Sequence, residues 1–319
     1  MSGIAGHPTQ ATPRILICHR LNLGDLVLAS PGIQWYRRRN PHARLRLLTN
    51  DFAARVGELL PGVEHVVRYA KFGGEGLPEW RALLAVHRWR PDSVIGLAPT
   101  PDWRLDLRVR LLGARSPAPA PDSSPPHVAE KLAWLFGWRG GEPLPPARLE
   151  PPPARGTVRN VAIWVSARKP SNRPGAGQIV EIVRALRARR AALTIGVFGL
   201  PAQTDSAAHV PDAGAQSMIG AALKSVGLAL ETPPFERLLA ELAASETVIT
   251  PDGGIAHIAA GFGKPVVALF GNVNIDAWRP YSPLARNLQA SSRMVIDLQA
   301  AEIAAAWDAS AAGLAPPGC

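Results

Sequence analysis

Apolar positions along the chain follow two alternating periods. "RILIC" (14–18) is a continuous apolar run of strand length, "ARLRLLT" (43–49) alternates apolar and polar, and "VEHVVRYA" (63–70) and "SVIGLA" (93–98) repeat the strand signal. Between them, Leu26 to Arg39, "AARVGELL" (53–60) and "EWRALLAVHRW" (79–89) carry apolar residues at helical spacing. Strand then helix, repeated, is the signature of βαβ units and a parallel sheet. The pattern is then interrupted. "GARSPAPAPDSSPP" (113–126) and "GGEPLPPARLEPPPARG" (140–156) are dense in Pro and Gly and flank a single helix, "HVAEKLAWLFGW" (127–138). An interdomain linker is expected near Glu142 to Gly156.

Beyond the linker the alternation restarts. "VAIWV" (161–165) is a strand, and "GQIVEIVRALRARR" (177–190) a helix with Ile179, Ile182, Val183 and Leu186 on one face. "LTIGVFG" (193–199) is the next strand, and "PFERLLAELAASE" (234–246) repeats the helical spacing at Phe235, Leu238, Leu239 and Leu242. A strand Thr247 to Pro251, a small-residue helix Ile255 to Phe262, a strand Val266 to Phe270 and a last helix "AAEIAAAWDASAAG" (300–313) complete the order. The expectation is two α/β domains, residues 1–150 and 151–319, the last helix being free to pack back on the first. Open parallel sheets bind ligands at the carboxyl ends of their strands, so the chemistry belongs in a cleft between the two domains.

Composition narrows the classes. A chain of 319 residues outgrows a single core, and 47% hydrophobic against 19% charged residues excludes a disordered protein. The net charge of +10 favours an acidic partner: nucleic acid, an anionic membrane face or a phosphorylated ligand. No nucleic-acid motif accompanies the scattered basic residues, so nucleic acid is not the expected partner. For the clusters at Arg37 to Arg39, Arg81 to Arg90 and Arg104 to Arg115, the readings are a solvated surface or docking on the anionic inner face of the cytoplasmic membrane. Cys18 in an apolar strand and Cys319 at the terminus form neither a metal cluster nor a disulfide framework, which fits a reducing, cytoplasmic setting. The start lacks the basic-then-apolar order of a secretory leader, and no apolar run reaches the roughly 18–20 residues of a membrane span. Contact with a membrane is therefore expected from its surface alone.

Three loops at strand ends carry candidate chemistry. After "RILIC", the loop "HRLNLGD" places Asn22, Gly24 and Asp25 between strand and helix, where Asp25 is either a first-turn aspartate or a carboxylate base for a substrate hydroxyl. The glycine spacing of a dinucleotide fingerprint is missing, which disfavours an oxidoreductase. After "VAIWV", "SARKPSNRPG" sets Arg168, Lys169 and Arg173 beside Ser166, Ser171 and Asn172, either a solvated basic loop or a diphosphate site. After "TVITP", "PDGGIAH" offers Asp252, Gly253, Gly254 and His257 at a helix N-terminus, which favours an anion. There a neutral or charged His257 imidazole could reach a phosphate; the alternative is a tight turn with Asp252 as cap and a structural histidine.

The segment "VITPDGGIAHIAAGFGKPVVALFGNVNIDAWRPYSP", with "ILICHRLNLGDLVLASPGIQWYRRRNPHARLRLLTN" and "HVAEKLAWLFG" in the same order and spacing, resembles glycosyltransferase family 9, the ADP-heptose:lipopolysaccharide heptosyltransferases. The resemblance implies a GT-B architecture of two Rossmann-like, doubly wound domains, the acceptor on the first and the sugar nucleotide on the second. Carried over, Asp25 falls on the catalytic base, with Asn22 and Gly24 beside it on the acceptor side. Ser166, Arg168, Lys169, Asn172 and Arg173 fall on the diphosphate loop, its key cation being Lys169 or Arg173. Asp252, Gly253, Gly254 and His257 fall on the nucleotide-sugar turn, the helix N-terminus and His257 complementing the diphosphate charge. The chain departs from the family where Gly253 replaces the usual Ser or Thr and where Pro174, not Trp, follows Arg173. The resemblance further implies an inverting, metal-independent transferase with no cofactor beyond its nucleotide-sugar co-substrate, ADP-heptose first. It would act on a lipopolysaccharide core or other acidic glycolipid or glycan acceptor at the inner membrane face. The alternatives are a family 9 transferase with a different sugar, or a non-catalytic anion or nucleic-acid binder.

Overall fold

The computed structural model describes residues 12–20, 22–70, 77–113, 117, 118, 120, 127–201 and 213–312. Arg115, Cys319 and most of the Pro-rich run before His127 lie outside these residues.

Strands β1 (Arg14–Cys18), β2 (Arg44–Asn50), β3 (His65–Tyr69) and β4 (Ser93–Gly96) form one sheet in the order β3-β2-β1-β4, every pair parallel. A second sheet runs β10-β9-β8-β5-β6-β7, again parallel throughout, from β5 (Val161–Trp164), β6 (Ile195–Phe198), β7 (Leu230–Glu231), β8 (Thr247–Pro251), β9 (Val266–Phe270) and β10 (Ala285–Gln289). Parallel strands need crossovers that cover both faces, which is why "VAIW" and "VVALF" are buried at every position. The first lobe contributes helices α1 (Leu23–Leu28), α2 (Ser30–Arg39), α3 (Asp51–Gly57), α4 (Glu79–Arg88), α5 (Trp103–Leu111) and α6 (Val128–Leu135). The second contributes α7 (Ala176–Arg189), α8 (Ala213–Leu223), α9 (Phe235–Ala244), α10 (Gly254–Gly261), α11 (Ile275–Trp278) and α12 (Ala300–Ala312). The two-domain, doubly wound α/β fold read from the sequence is thus present.

The period of two along each strand sorts the cores. Leu16, Cys18, Leu48 and Val94 face an outer core under α4 and α5, while Ile15, Ile17, Leu45 and Leu47 face inward. In the second sheet Val161, Ile163, Val197 and Ile249 face α7 and α12, while Ala162, Trp164, Val248 and Ala268 face inward. The two inward sets belong to one continuous apolar cluster, joined where Leu23, Leu26 and Val27 of α1 meet Ile255, Ala256 and Ala259 of α10. The lobes therefore share a floor, with the cleft above it. The linker segment is stitched to both lobes, Leu149 N donating to Gly261 O at 2.7 Å and Glu150 N to Leu59 O at 2.7 Å.

Two expectations are corrected, and one stretch left without an element acquires one. Leu26 to Arg39 is two helices, broken at Ala29, because Pro31 has no N–H to continue the first and starts the second instead. The last helix packs on the second lobe rather than the first: Ile303, Ala304 and Trp307 enter its outer core, and Trp307 Nε1 donates to Thr247 Oγ1 at 2.8 Å. The arginine-rich stretch from Arg104 is a capped helix, α5, with Asp102 accepting from Arg104 N and Leu105 N and with Leu105 and Val109 buried. Among the described residues, no helix is long and apolar enough to cross a membrane.

Candidate functional site

The carboxyl ends of β1, β5 and β8 point into one cavity of about 400 Å³ between the lobes. Asn22, Gly24 and Asp25 line it from the first lobe; Ser166, Arg168, Lys169, Asn172, Arg173, Asp252, Gly253, Gly254 and His257 line it from the second. These residues are thus brought to one place from three separate segments of the chain, whereas Ser171 of the basic loop lies outside the cavity and accepts from Asn272 N at 3.3 Å.

Asp25 sits in the first turn of α1, 3% exposed. Its Oδ2 accepts from Asn22 N at 3.0 Å and from Asn22 Nδ2 at 3.4 Å, and no described residue bonds Oδ1. Burial raises its pKa above the ordinary carboxylate range, against the lowering effect of the Asn22 bonds. The result is a carboxylate oriented by one oxygen, with the other available and unusually basic.

Across the cleft, β8 ends at Pro251 and the chain turns through Gly253 at φ 156°, ψ −172°, a conformation glycine alone takes readily. A side chain there would meet nothing within 4 Å, so Gly253 answers a backbone requirement and leaves space above the α10 N-terminus. Asp252 is also pushed up by burial, opposed by its Asn172 bond and by Lys169. Asn172, 2% exposed, pins three loops: Nδ2 donates to Asp252 O at 3.1 Å and to Asp252 Oδ2 at 3.2 Å, while Oδ1 accepts from Gly271 N at 3.1 Å. Its amide is spent on the scaffold, not offered to a ligand. Ser166 is similarly engaged, accepting from Leu200 N at 3.0 Å and donating to Gln216 Oε1 at 3.2 Å.

The cations separate by environment. Arg173 Nε donates to Ala167 O at 3.2 Å, turning its guanidinium onto its own loop. Arg168 and Lys169 are more open to the cleft, and Lys169 is the cation whose field reaches Asp252.

His257 lies deeper than a phosphate ligand on the surface would. Its ring is 4% exposed beneath Gly24, with Nδ1 buried and unpartnered, and burial, aided by His127, lowers its pKa to about 3. Of the two protonation states the sequence allowed, burial selects the neutral one; the imidazole adds no positive charge to the site. Phe52, Trp164, Gln216, Val273 and Trp278 also line the cavity and were not foreseen. Phe52 and Val273 lie just past the ends of β2 and β9, so the strand-end rule, applied to every strand, would have found them.

Comparison with known proteins bears on the fold that carries this site. The glycosyltransferase family 9 (heptosyltransferase) family model matches residues 204–307. The fold is similar to E. coli ADP-heptose lps heptosyltransferase II, with 16% identity over 94% of this chain and 99% of that one and a TM-score of 0.75. A glycosyl transferase family 9 structure from Veillonella parvula gives 16% identity, 94% and 97% coverage and a TM-score of 0.74. E. coli heptosyltransferase WaaC with ADP gives 13%, 93% and 99%, and 0.71. No curated protein sequence matches the chain. With a match to the family 9 model in its second lobe and the two-lobed GT-B fold of these heptosyltransferases over nearly its whole length, the chain bears out the resemblance to glycosyltransferase family 9.

Proposed function

We propose that the protein is an inverting glycosyltransferase that moves a heptose from ADP-heptose to a hydroxyl of a lipopolysaccharide core or related acidic glycan, at the cytoplasmic side of the membrane. One observation carries this reading. A buried, raised-pKa carboxylate from the first lobe and, from the second, a cation-bearing loop and a glycine-lined turn open onto the same 400 Å³ cavity.

In the proposed reaction, Oδ1 of Asp25 removes the acceptor hydroxyl proton as that oxygen bonds to the anomeric carbon. The bond from that carbon to the phosphate oxygen breaks on the opposite face, so the configuration inverts and the nucleoside diphosphate departs. Lys169, Arg168 and the free N–H groups at the start of α10 stabilise the leaving charge. These fixed cations are what would let the reaction run without a metal. Lys169 is the better candidate for the key cation, because Arg173 is already engaged with its loop carbonyl. Gly253, without the hydroxyl usual at that position, leaves only backbone donors, and this favours a second reading in which the donor is a different nucleotide sugar.

Release of nucleoside diphosphate from a panel of sugar nucleotides, with and without lipopolysaccharide core acceptors, tests the proposal. ADP-heptose should turn over fastest, without added metal, and Asp25→Asn should lose most of that turnover. Preference for another donor would favour the second reading. An Asp25→Asn protein as active as wild type would remove the base assignment.

A further inference from the structure

Helices α4 and α5 both pack on the outer face of the first sheet and are linked by the ion pair of Arg108 and Glu79. Ala82 and Val86 of α4 and Leu105 and Val109 of α5 face the core. The opposite faces do not look like ordinary solvated surface. Trp80 is 62% exposed, Trp103 70% and Leu111 64%, with Leu107 also exposed. Trp103, Leu107 and Leu111 fall four residues apart and form one stripe along α5. The outward faces also carry Arg81, Arg88, Arg104 and Arg110, none paired with a described carboxylate, against one exposed acid, Asp106. Arg81 and Arg104 lie over the Trp80 and Trp103 rings at 5.0 and 5.2 Å.

We infer that the α4–α5 face docks on an anionic lipid bilayer, its tryptophans and leucines entering the interface while the arginines meet lipid phosphates. Indole rings favour the boundary between headgroup and hydrocarbon, and paired apolar and cationic faces are the composition of interfacial helices. A polynucleotide would account for the arginines but leave the leucine stripe facing water, and a second copy of this chain would set arginine against arginine. The face also adjoins the cleft. Helix α5 begins at the carboxyl edge of the first sheet, and its cap Asp102 accepts at 2.6 Å from Nη1 of Arg20, which lies between β1 and the helix that carries Asp25. Docking would bring the first-lobe side of the cleft to the lipid surface, where a lipid-linked acceptor resides. That last consequence rests on the proposed transferase reading; binding to the bilayer does not.

Flotation of the full chain with vesicles of phosphatidylcholine, alone or mixed with phosphatidylglycerol, tests the inference. Binding is expected to the mixed vesicles only and to fall with salt. The exposed double variant Trp80→Ser/Trp103→Ser should weaken it at least tenfold, and each of Arg81→Gln and Arg104→Gln about fivefold. Met218→Ser, equally exposed on the second lobe, should change nothing. Bromine-labelled lipid should quench tryptophan emission of the wild type and much less that of the double variant. Nucleoside diphosphate release with a water-soluble acceptor should be the same in all of them, so loss of docking and loss of transfer are read separately. Equal affinity for neutral vesicles, binding untouched by the tryptophan pair, polynucleotide binding without vesicle binding, or self-association through this face would each overturn the inference.

Discussion

Gly24 of the first lobe rests on the His257 ring of the second, so closely that a methyl group on Gly24 would stand 2.7 Å from His257 Cδ2. This contact holds the first turns of α1 and α10, one carrying Asp25 and the other following Asp252, in register. Gly254 sits opposite, its own Cβ position 3.3 Å from Leu23 Cβ. Small residues on both sides allow α1 and α10 to approach.

Gly24→Ala tests that register. His257 is enclosed and cannot swing away freely, so the added methyl must push the lobes apart or displace the ring, at a cost of about 1–3 kcal/mol for overpacking. A lowered melting temperature with at least a tenfold drop in kcat/KM is expected. Wild-type values for both would mean that the contact is slack.

The acid limb of the pH profile should report Asp25. Its pKa is raised by burial, so kcat/KM should fall off on acidification above the range of an ordinary carboxylate. In Asn22→Ala, which removes one bond to the ionised form, the limb should move further up. A limb that moves down, or stays, would separate Asp25 from the titration.

Stability should carry a different signature. His127 Nδ1 accepts from Ala129 N at 3.0 Å and Nε2 faces Arg279 O at 2.9 Å, so the neutral ring is satisfied across the lobe boundary, and burial lowers its pKa to about 4. With His257 near 3, the unfolded chain takes up two protons that the folded chain refuses. Below about pH 6.5 stability should therefore fall by about 1.4 kcal/mol per pH unit for each imidazole, down to the folded pKa values. Asp25 and Asp252, raised by burial, act in the opposite sense just above the ordinary carboxylate range. Thermal melts against pH should show the slope, and His127→Gln should remove about half of it. An unchanged slope in that variant would assign it elsewhere.

The fold was legible because its signals are local and periodic. β1, β8 and β9 coincide with the runs read as strands, and the cleft residues lie where the strand-end rule puts them. Helix α5 was hidden because its arginines mask the Leu105–Val109–Leu112 face, although Asp102 gives it a cap. β10, "ARNLQ", has no apolar run and exists because it pairs with buried β9. Sequence could not supply the partner of each polar group. Asn172 and Ser166 read as ligand donors but are spent on neighbouring loops, and His257 reads as a phosphate ligand or a structural residue, neutral or charged, but its ring is buried and neutral.

Asn172 offers a direct test of scaffold against ligand roles. Replacing it with Leu leaves Gly271 N–H and the Asp252 carboxylate without their partners, at a cost of about 1–3 kcal/mol for each buried group. Loss of stability should therefore precede any specific loss of donor affinity. An Asn172→Leu protein that melts as wild type but no longer binds donor would make the amide a ligand group after all.

Lys169 and Arg173 should part in the opposite way. Lys169 is exposed in the cleft and its charge reaches Asp252, so Lys169→Ala should leave the fold intact. It should raise the donor KM roughly ten- to hundredfold, the usual worth of a charged hydrogen bond, with strong salt dependence in the wild type and less in the variant. Arg173 braces its loop through Ala167 O. Arg173→Ala should lower stability and affect kcat and KM together, because the loop that carries Lys169 loses its shape. Should Arg173→Ala instead raise the donor KM alone while Lys169→Ala stays silent, the guanidinium must turn from its carbonyl to the diphosphate when donor binds, and the assignment of the key cation reverses.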